Sequence, residues 1–171
     1  TLTVSDGTLS YAETLTVTVL GNDPPTITGP GTLITTRNGI VEFKSSAATG
    51  LTLGDADYVG GDETLVLSVT HGTLSFTSAG LTSAVGSGTS SITAVGGLTA
   101  LNTALQTLLF TPAAGFVGSS ILSLELNDQG SGLGTQPKSA TANVLIQVRP
   151  APESPTMMGD INPFGGNSTP A

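Results

Sequence analysis

The chain has 171 residues, of which 12 are Asp or Glu and 4 are Lys or Arg, for a net charge of −8 with only 9% of residues charged. That balance excludes the Lys/Arg clusters that nucleic acids and anionic membranes require of a partner. The absence of cysteine excludes a disulfide framework, thiolate metal sites and thiol catalysis, while leaving the compartment open. No apolar run approaches the ~18 residues of a membrane span, and no signal peptide is legible.

The chain opens on an echo of its own end. Thr1–Asp6 (TLTVSD) matches Leu122–Asp128 (LSLELND), and Glu13–Val19 (ETLTVTV) matches Ala142–Val148 (ANVLIQV). In each copy a strand-like run reaches an Asp, breaks, and returns as a second alternating run. A period of about 125 residues reads as a tandem array of large modules rather than a small solenoid repeat. Two strands alone are marginal in water. Residues 1–21 are therefore expected to be the closing hairpin of a preceding repeat, or a strand-donating segment. Gly21-Asn22-Asp23-Pro24-Pro25 follows as a joint stiffened by its two prolines. Residues 22–150 form one unit large enough to bury a core.

Within the unit, Thr26–Thr36 and Ile40–Phe43 flank Arg37-Asn38-Gly39, and the Asn-Gly pair predicts a hairpin turn. Leu51–Leu53 is expected to continue the second of these strands past a bulge. An acidic loop, Gly54–Glu63 (GDADYVGGDE), precedes Thr64–Val69, in which Leu65, Leu67 and Val69 alternate inward. A turn at His71-Gly72 leads to Thr73–Thr77, and a Gly/Ser loop leads on to Ser91–Val95. Leu98, Leu101, Leu105 and Leu108 then recur at spacings of three and four, which predicts a short helix over Leu98–Thr107. Leu108–Phe110 follows as a strand stopped by Thr111-Pro112. Ser119–Leu126 and Ser139–Val148 make the last hairpin, across a Gly-rich loop. Residues 151–171 read as a flexible tail rich in Pro, Gly, Asn and Ser. Short strands separated by turn signals, with one helix, predict an all-β Greek-key β-sandwich.

Five segments in order carry a resemblance: Asn22-Asp23-Pro24-Pro25, Asp55-Ala56-Asp57, Leu67–Phe76 (LSVTHGTLSF), Leu101–Pro112 (LNTALQTLLFTP) and Gly115–Gly130 (GFVGSSILSLELNDQG). Together they resemble the bacterial cadherin-like repeats of large secreted and surface proteins of the adhesin type. The resemblance covers Asn22 to Val148 and the partial copy at the start. It implies an immunoglobulin-like sandwich, strung end to end at the cell surface, with calcium at the joints.

The residues support an acidic pole independently of that resemblance. In such a sandwich the first strand begins at the end that carries the second–third and sixth–seventh strand loops. Asn22 and Asp23 lie at that beginning, Asp55, Asp57, Asp62 and Glu63 in one of these loops, and Asn127 and Asp128 at the other. Gathered carboxylates repel unless protonated or bridged by a cation. Calcium (Ca2+) suits mixed Asp, Asn and carbonyl oxygens. Asp55 and Asp57 lead the ligand candidates, followed by Asp23 and Asp128, with Asn22 and Asn127 beside them. Asp62 and Glu63 rank last because a loop end can simply face water. The alternative is a solvated loop whose charge only solubilises.

The remaining motifs point away from catalysis. His71 is the single histidine and stands in a tight turn, so it cannot build a zinc site of its own. No Gly-x-Ser-x-Gly elbow is present. Gly86-Ser87-Gly88 and Gly130–Gly134 lack the strand-to-helix context of a phosphate cradle. Tyr58 is a candidate for touching a sugar or a partner, whereas Phe43, Phe76, Phe110 and Phe116 are expected in the core. At the far end Arg149-Pro150-Ala151-Pro152 stands where another Asn-Asp-Pro-Pro joint is expected, so no similar module is expected to follow directly. The expected function is a non-catalytic link of an extracellular stalk or adhesin, partnered by neighbouring repeats or identical subunits. The alternatives are a filament or surface-lattice subunit assembled by strand addition through residues 1–20, and a carbohydrate-binding accessory domain.

Overall fold

The computed structural model describes residues 2–5, 7–8, 10–13, 21–130 and 136–152. The expected return strand of the first copy beyond Glu13, and the expected tail beyond Pro152, lie outside the described residues. Period-two alternation builds the main layer. β7 (Glu63–Val69) buries every second residue, as do β10 (Ser91–Gly96) and β12 (Gly118–Asn127) along most of their length, and β13 (Ser139–Arg149) does so in its second half. With β4 (Thr32–Thr36) and β9 (Ser83–Val85) they form a six-stranded sheet in the order β4-β13-β12-β7-β10-β9. It is antiparallel throughout except where β4 runs parallel to β13.

Two smaller sheets complete an all-β sandwich. One is β5-β11-β8, formed by Val41–Glu42, Leu109–Pro112 and Gly72–Ser75. The other pairs β3 (Thr26–Thr28) with β6 (Thr52–Gly54). Inward side chains from all three sheets meet in one apolar cluster that includes Leu65, Leu67, Leu74, Ile92, Leu124 and Ile146. Phe43 and Phe110 are fully buried in it, as expected, and Phe76 and Phe116 pack against its rim. Each buried Leu or Phe contributes roughly 1.5–3 kcal/mol of transfer free energy.

The single helix, α1 (Leu98–Leu105), turns Leu101, Ala104 and Leu105 into this core. Its N-cap residue is Gly97, which offers no side-chain cap. Tyr58 supplies the function instead, its hydroxyl accepting from Leu98 N at 3.3 Å and donating to Gly61 O at 2.8 Å. That hydroxyl belongs to the helix start. Asn102 ties the helix to β6: its Oδ1 accepts from Leu53 N at 2.9 Å and its Nδ2 donates to Leu53 O at 3.0 Å.

The chain departs from the expected order of hairpins at three places. Asn38 does sit in a turn, with φ +65°, but the strands on either side of it belong to different sheets. Leu51–Leu53 does not extend β5, because Thr52–Gly54 pairs with Thr26–Thr28 instead. β7 and β8 likewise part at His71-Gly72, β7 to the six-stranded sheet and β8 to the three-stranded one. Such crossings need close backbone contact. A Cβ on Gly72, whose φ is +156°, would lie 2.4 Å from Thr111 O and 2.5 Å from Phe110 Cε2. β9 was also hidden, in the Gly/Ser loop before β10.

The first ladder, β1 (Leu2–Ser5) with β2 (Ser10–Glu13), forms a two-stranded sheet of its own, in register Leu2↔Glu13 to Ser5↔Ser10. The turn therefore falls earlier than the sequence echo places it. Among the described residues no helix is long and apolar enough to cross a membrane.

Candidate functional site

The acidic loops and the joint meet at one end of the sandwich because of how the strands run. β12 ends at Asn127, β13 starts at Ser139 opposite it, and β7 starts one residue before Thr64, which pairs with Asn127. β3 starts beside Gly54, immediately before Asp55. The linker Gly21–Pro25 enters over these ends.

Asn22 is buried and fastens the linker down. Its Nδ2 donates to Asp128 Oδ2 at 2.7 Å and to Gln136 O at 2.8 Å. Its carbonyl oxygen accepts from the Lys138 ammonium. Asp128, also fully buried, accepts at Oδ1 from the backbone N–H groups of Gly130 and Lys138, each at 2.8 Å. On the other side Asp57 Oδ2 accepts from Asp23 N at 3.2 Å, and Asp55 Oδ1 accepts from Asp57 N at 3.3 Å. The Asp-x-Asp pair thus turns toward the joint.

Glu63 stands beneath these groups. It is fully buried, and among the described residues neither of its carboxylate oxygens has a hydrogen-bond partner; Asp55 Oδ2 and Asn22 Oδ1 are buried and unpartnered among them as well. Burial pushes the Glu63 carboxyl up to about 7, reinforced by the charges of Asp55 and Asp128. Asp55 is raised above its ordinary value, by burial first and then by its hydrogen bond with Asp57 and the charges of Asp57 and Asp128. Burial also draws Asp128 upward. Its three donors, from Gly130, Lys138 and Asn22, outweigh burial and hold it below the usual carboxylate range. The site therefore contains one well-satisfied carboxylate, Asp128, and one buried carboxylate with nothing to satisfy it, Glu63.

Of the residues singled out in the sequence, Asn22, Asp23, Asp55, Asp57 and Asp128 are brought together here. Asn127 is engaged locally: its Nδ2 donates to Ser139 Oγ, and its Oδ1 accepts from the backbone and side chain of Gln129. Asp62 is exposed and has no hydrogen bond or ion pair among the described residues. Its neighbour Glu63, ranked with it at the bottom, is the residue the fold buries. The signal was present: Glu63 has the parity of Leu65, Leu67 and Val69, so alternation alone turns it inward. Lys138 and the Gln136 carbonyl carried no signal, since they reach the site only through the folding of the β12–β13 loop.

Among the described residues no three acidic or histidine side chains converge as a ready-made metal cage. The oxygens that remain for a cation are the unpartnered ones of Glu63, Asp55 and Asn22, in a setting where the charge of Asp55 acts on Glu63. No protein-family model matches the chain, and no curated protein matches it either.

Proposed function

We propose that this chain is a non-catalytic structural module of a tandem-repeat extracellular protein, a Greek-key sandwich of the immunoglobulin-like, cadherin-like type. On this reading its acidic pole takes up Ca²⁺ at the joint with the preceding module. The observation that carries the metal is Glu63, a fully buried carboxylate with both oxygens unpartnered. An ionised carboxylate removed from water without hydrogen bonds is strongly disfavoured, so the group takes either a proton or a cation. Asp55 Oδ2 and Asn22 Oδ1 are also buried and unpartnered at this end of the sandwich, and a hard cation that accepts mixed carboxylate and amide oxygens fits that donor set.

The function of such a site is mechanical. Asn22 belongs to the linker, whereas Glu63 and Asp55 belong to the sandwich. An ion shared between them ties linker to domain and restricts the hinge, adding to the stiffness of Pro24 and Pro25. The experiment is a calcium titration followed by thermal unfolding. A ligand at 100 times its Kd adds about 2.7 kcal/mol. Melting of the chain is expected to rise with millimolar calcium and to fall back with chelator. An unchanged melting temperature at saturating calcium rejects the metal.

A second reading rests on the β1–β2 ladder. A two-stranded sheet is marginal alone, and among the described residues β4 and β9 are the edge strands of the six-stranded sheet. Strand addition between molecules would satisfy both. Filaments that vanish on deletion of residues 1–20 would favour it.

A further inference from the structure

The two ends of the sandwich carry opposite charge. Asp23, Asp55, Asp57, Asp62, Glu63 and Asp128 occupy the end where the linker enters. The end where β13 leaves carries Arg37 and Arg149, two of the four basic residues in the chain. These two are fixed side by side: Thr36 pairs with Arg149, and Arg37 N donates to Arg149 O at 2.6 Å. The other two basic residues are engaged, Lys44 with Glu42 and Lys138 with the Asn22 carbonyl. Arg37 and Arg149 are exposed, and among the described residues neither guanidinium has a hydrogen bond or an ion pair. Among the described residues, the segments that form this end, 35–40, 70–73, 111–121 and 147–150, contain no acidic residue. β12 spans ten residues from one end to the other, which separates the poles by about 33 Å at ~3.3 Å per residue.

The basic end also exposes apolar surface. Val117 is 45% exposed and Ile40 56%. Val117 borders an open groove of about 250 Å³, lined also by Ser119, Gln147, Arg149 and Pro150. His71 stacks on Phe116 with ring centroids 4.4 Å apart. At the acidic end Val59 is 69% exposed, on the loop that carries Asp57 and Asp62.

We infer that the Arg37/Arg149 end of one molecule docks head-to-tail on the acidic end of a second copy of this chain. The contact is heterologous: each copy keeps one free end of each sign, so the assembly grows as an open row rather than a closed dimer. The inference names a partner for the structural module proposed above, and rests on that reading only in treating the chain as a link. It does not require calcium. Opposed charges at an exposed interface set register and encounter rate, and salt weakens them.

Sedimentation velocity of the full chain tests this, with all samples in chelator so that the fate of the metal leaves the result untouched. At low salt the wild-type chain is expected to form concentration-dependent oligomers that dissociate at high salt. Arg37→Glu with Arg149→Glu makes both ends acidic and is expected to weaken association about ten-fold, equivalent to about 1.4 kcal/mol. Asp23→Lys with Asp62→Lys reverses the two fully exposed charges of the opposite end and is expected to do the same. All four positions are exposed, and unchanged circular dichroism confirms that each variant is folded. Mixing the two variants restores complementary ends, and association is expected to return. A monomeric wild type at low salt overturns the inference. So does association that survives both charge reversals but disappears on deletion of residues 1–20, which assigns it to strand addition.

Discussion

Glu63 owes its position to parity and its properties to that position. It opens a strand whose alternate residues are Leu65, Leu67 and Val69, and it is buried with them. Its carboxyl is raised from an ordinary 4.5 to about 7, so between these values the folded state holds a proton that the unfolded state has released. Stability without calcium therefore falls as pH rises from about 4.5 to about 7, by at most about 3 kcal/mol. The raised Asp55 acts in the same direction. The lowered Asp128 has the opposite sign: its contribution is lost only as pH falls through its own depressed pKa. In chelator at pH 8, Glu63→Gln is expected to stabilise the chain by about 1–3 kcal/mol, with the gain shrinking as pH falls and vanishing below about pH 4. Thermal melts across that range would show it, and a destabilised variant at pH 8 would contradict it. Gly72 is the other residue with no freedom. Gly72→Ala drives a Cβ into Thr111 O and the Phe110 ring and is expected to cost about 2–4 kcal/mol, read as a lower denaturation midpoint at constant m.

At the scale of elements, the helix and the acidic loop are coupled through two side chains. Asn102 bonds both backbone groups of Leu53, two residues before Asp55, and Tyr58 caps the helix from inside the loop. Asn102→Ala leaves the Leu53 N–H and C=O without these partners and is expected to cost about 1–3 kcal/mol. It should also speed amide exchange at Leu53 and lower the apparent calcium affinity, since Asp55 directly follows β6. A variant that loses stability but binds calcium unchanged would show that the clamp serves the core alone. What the sequence revealed here follows range of interaction. The helix was legible from four leucines at helical spacing, and the last hairpin from two long alternating runs, because both patterns are local. The partners of β3, β5 and β6 were not, since each is too short to state its partner and the choice is made by tertiary packing. The Asn38-Gly39 turn shows the limit: its φ was readable, but not which sheet each flanking strand would join.

For the whole molecule, the gathering of Asn22, Asp55, Asp57 and Asp128 could be anticipated because sandwich topology returns certain loops to one end. The burial of Glu63 and the part played by Lys138 in holding Asn22 could not be ranked without the fold. The same topology leaves Arg37 and Arg149 at the opposite end, so the module is polarised along its strands. Calcium held at the proposed site would discharge part of one pole. Saturation should therefore stiffen the linker and weaken any head-to-tail contact in the same solution, an opposition that scattering at low salt with and without calcium would reveal.

A crystal structure of the chain grown in calcium bears most directly on the central claim. A bound ion is predicted with Glu63, Asp55 and Asn22 oxygens at about 2.3–2.6 Å from it, joining linker to sandwich. A calcium-soaked structure in which Glu63 remains buried, protonated and without an ion would contradict it.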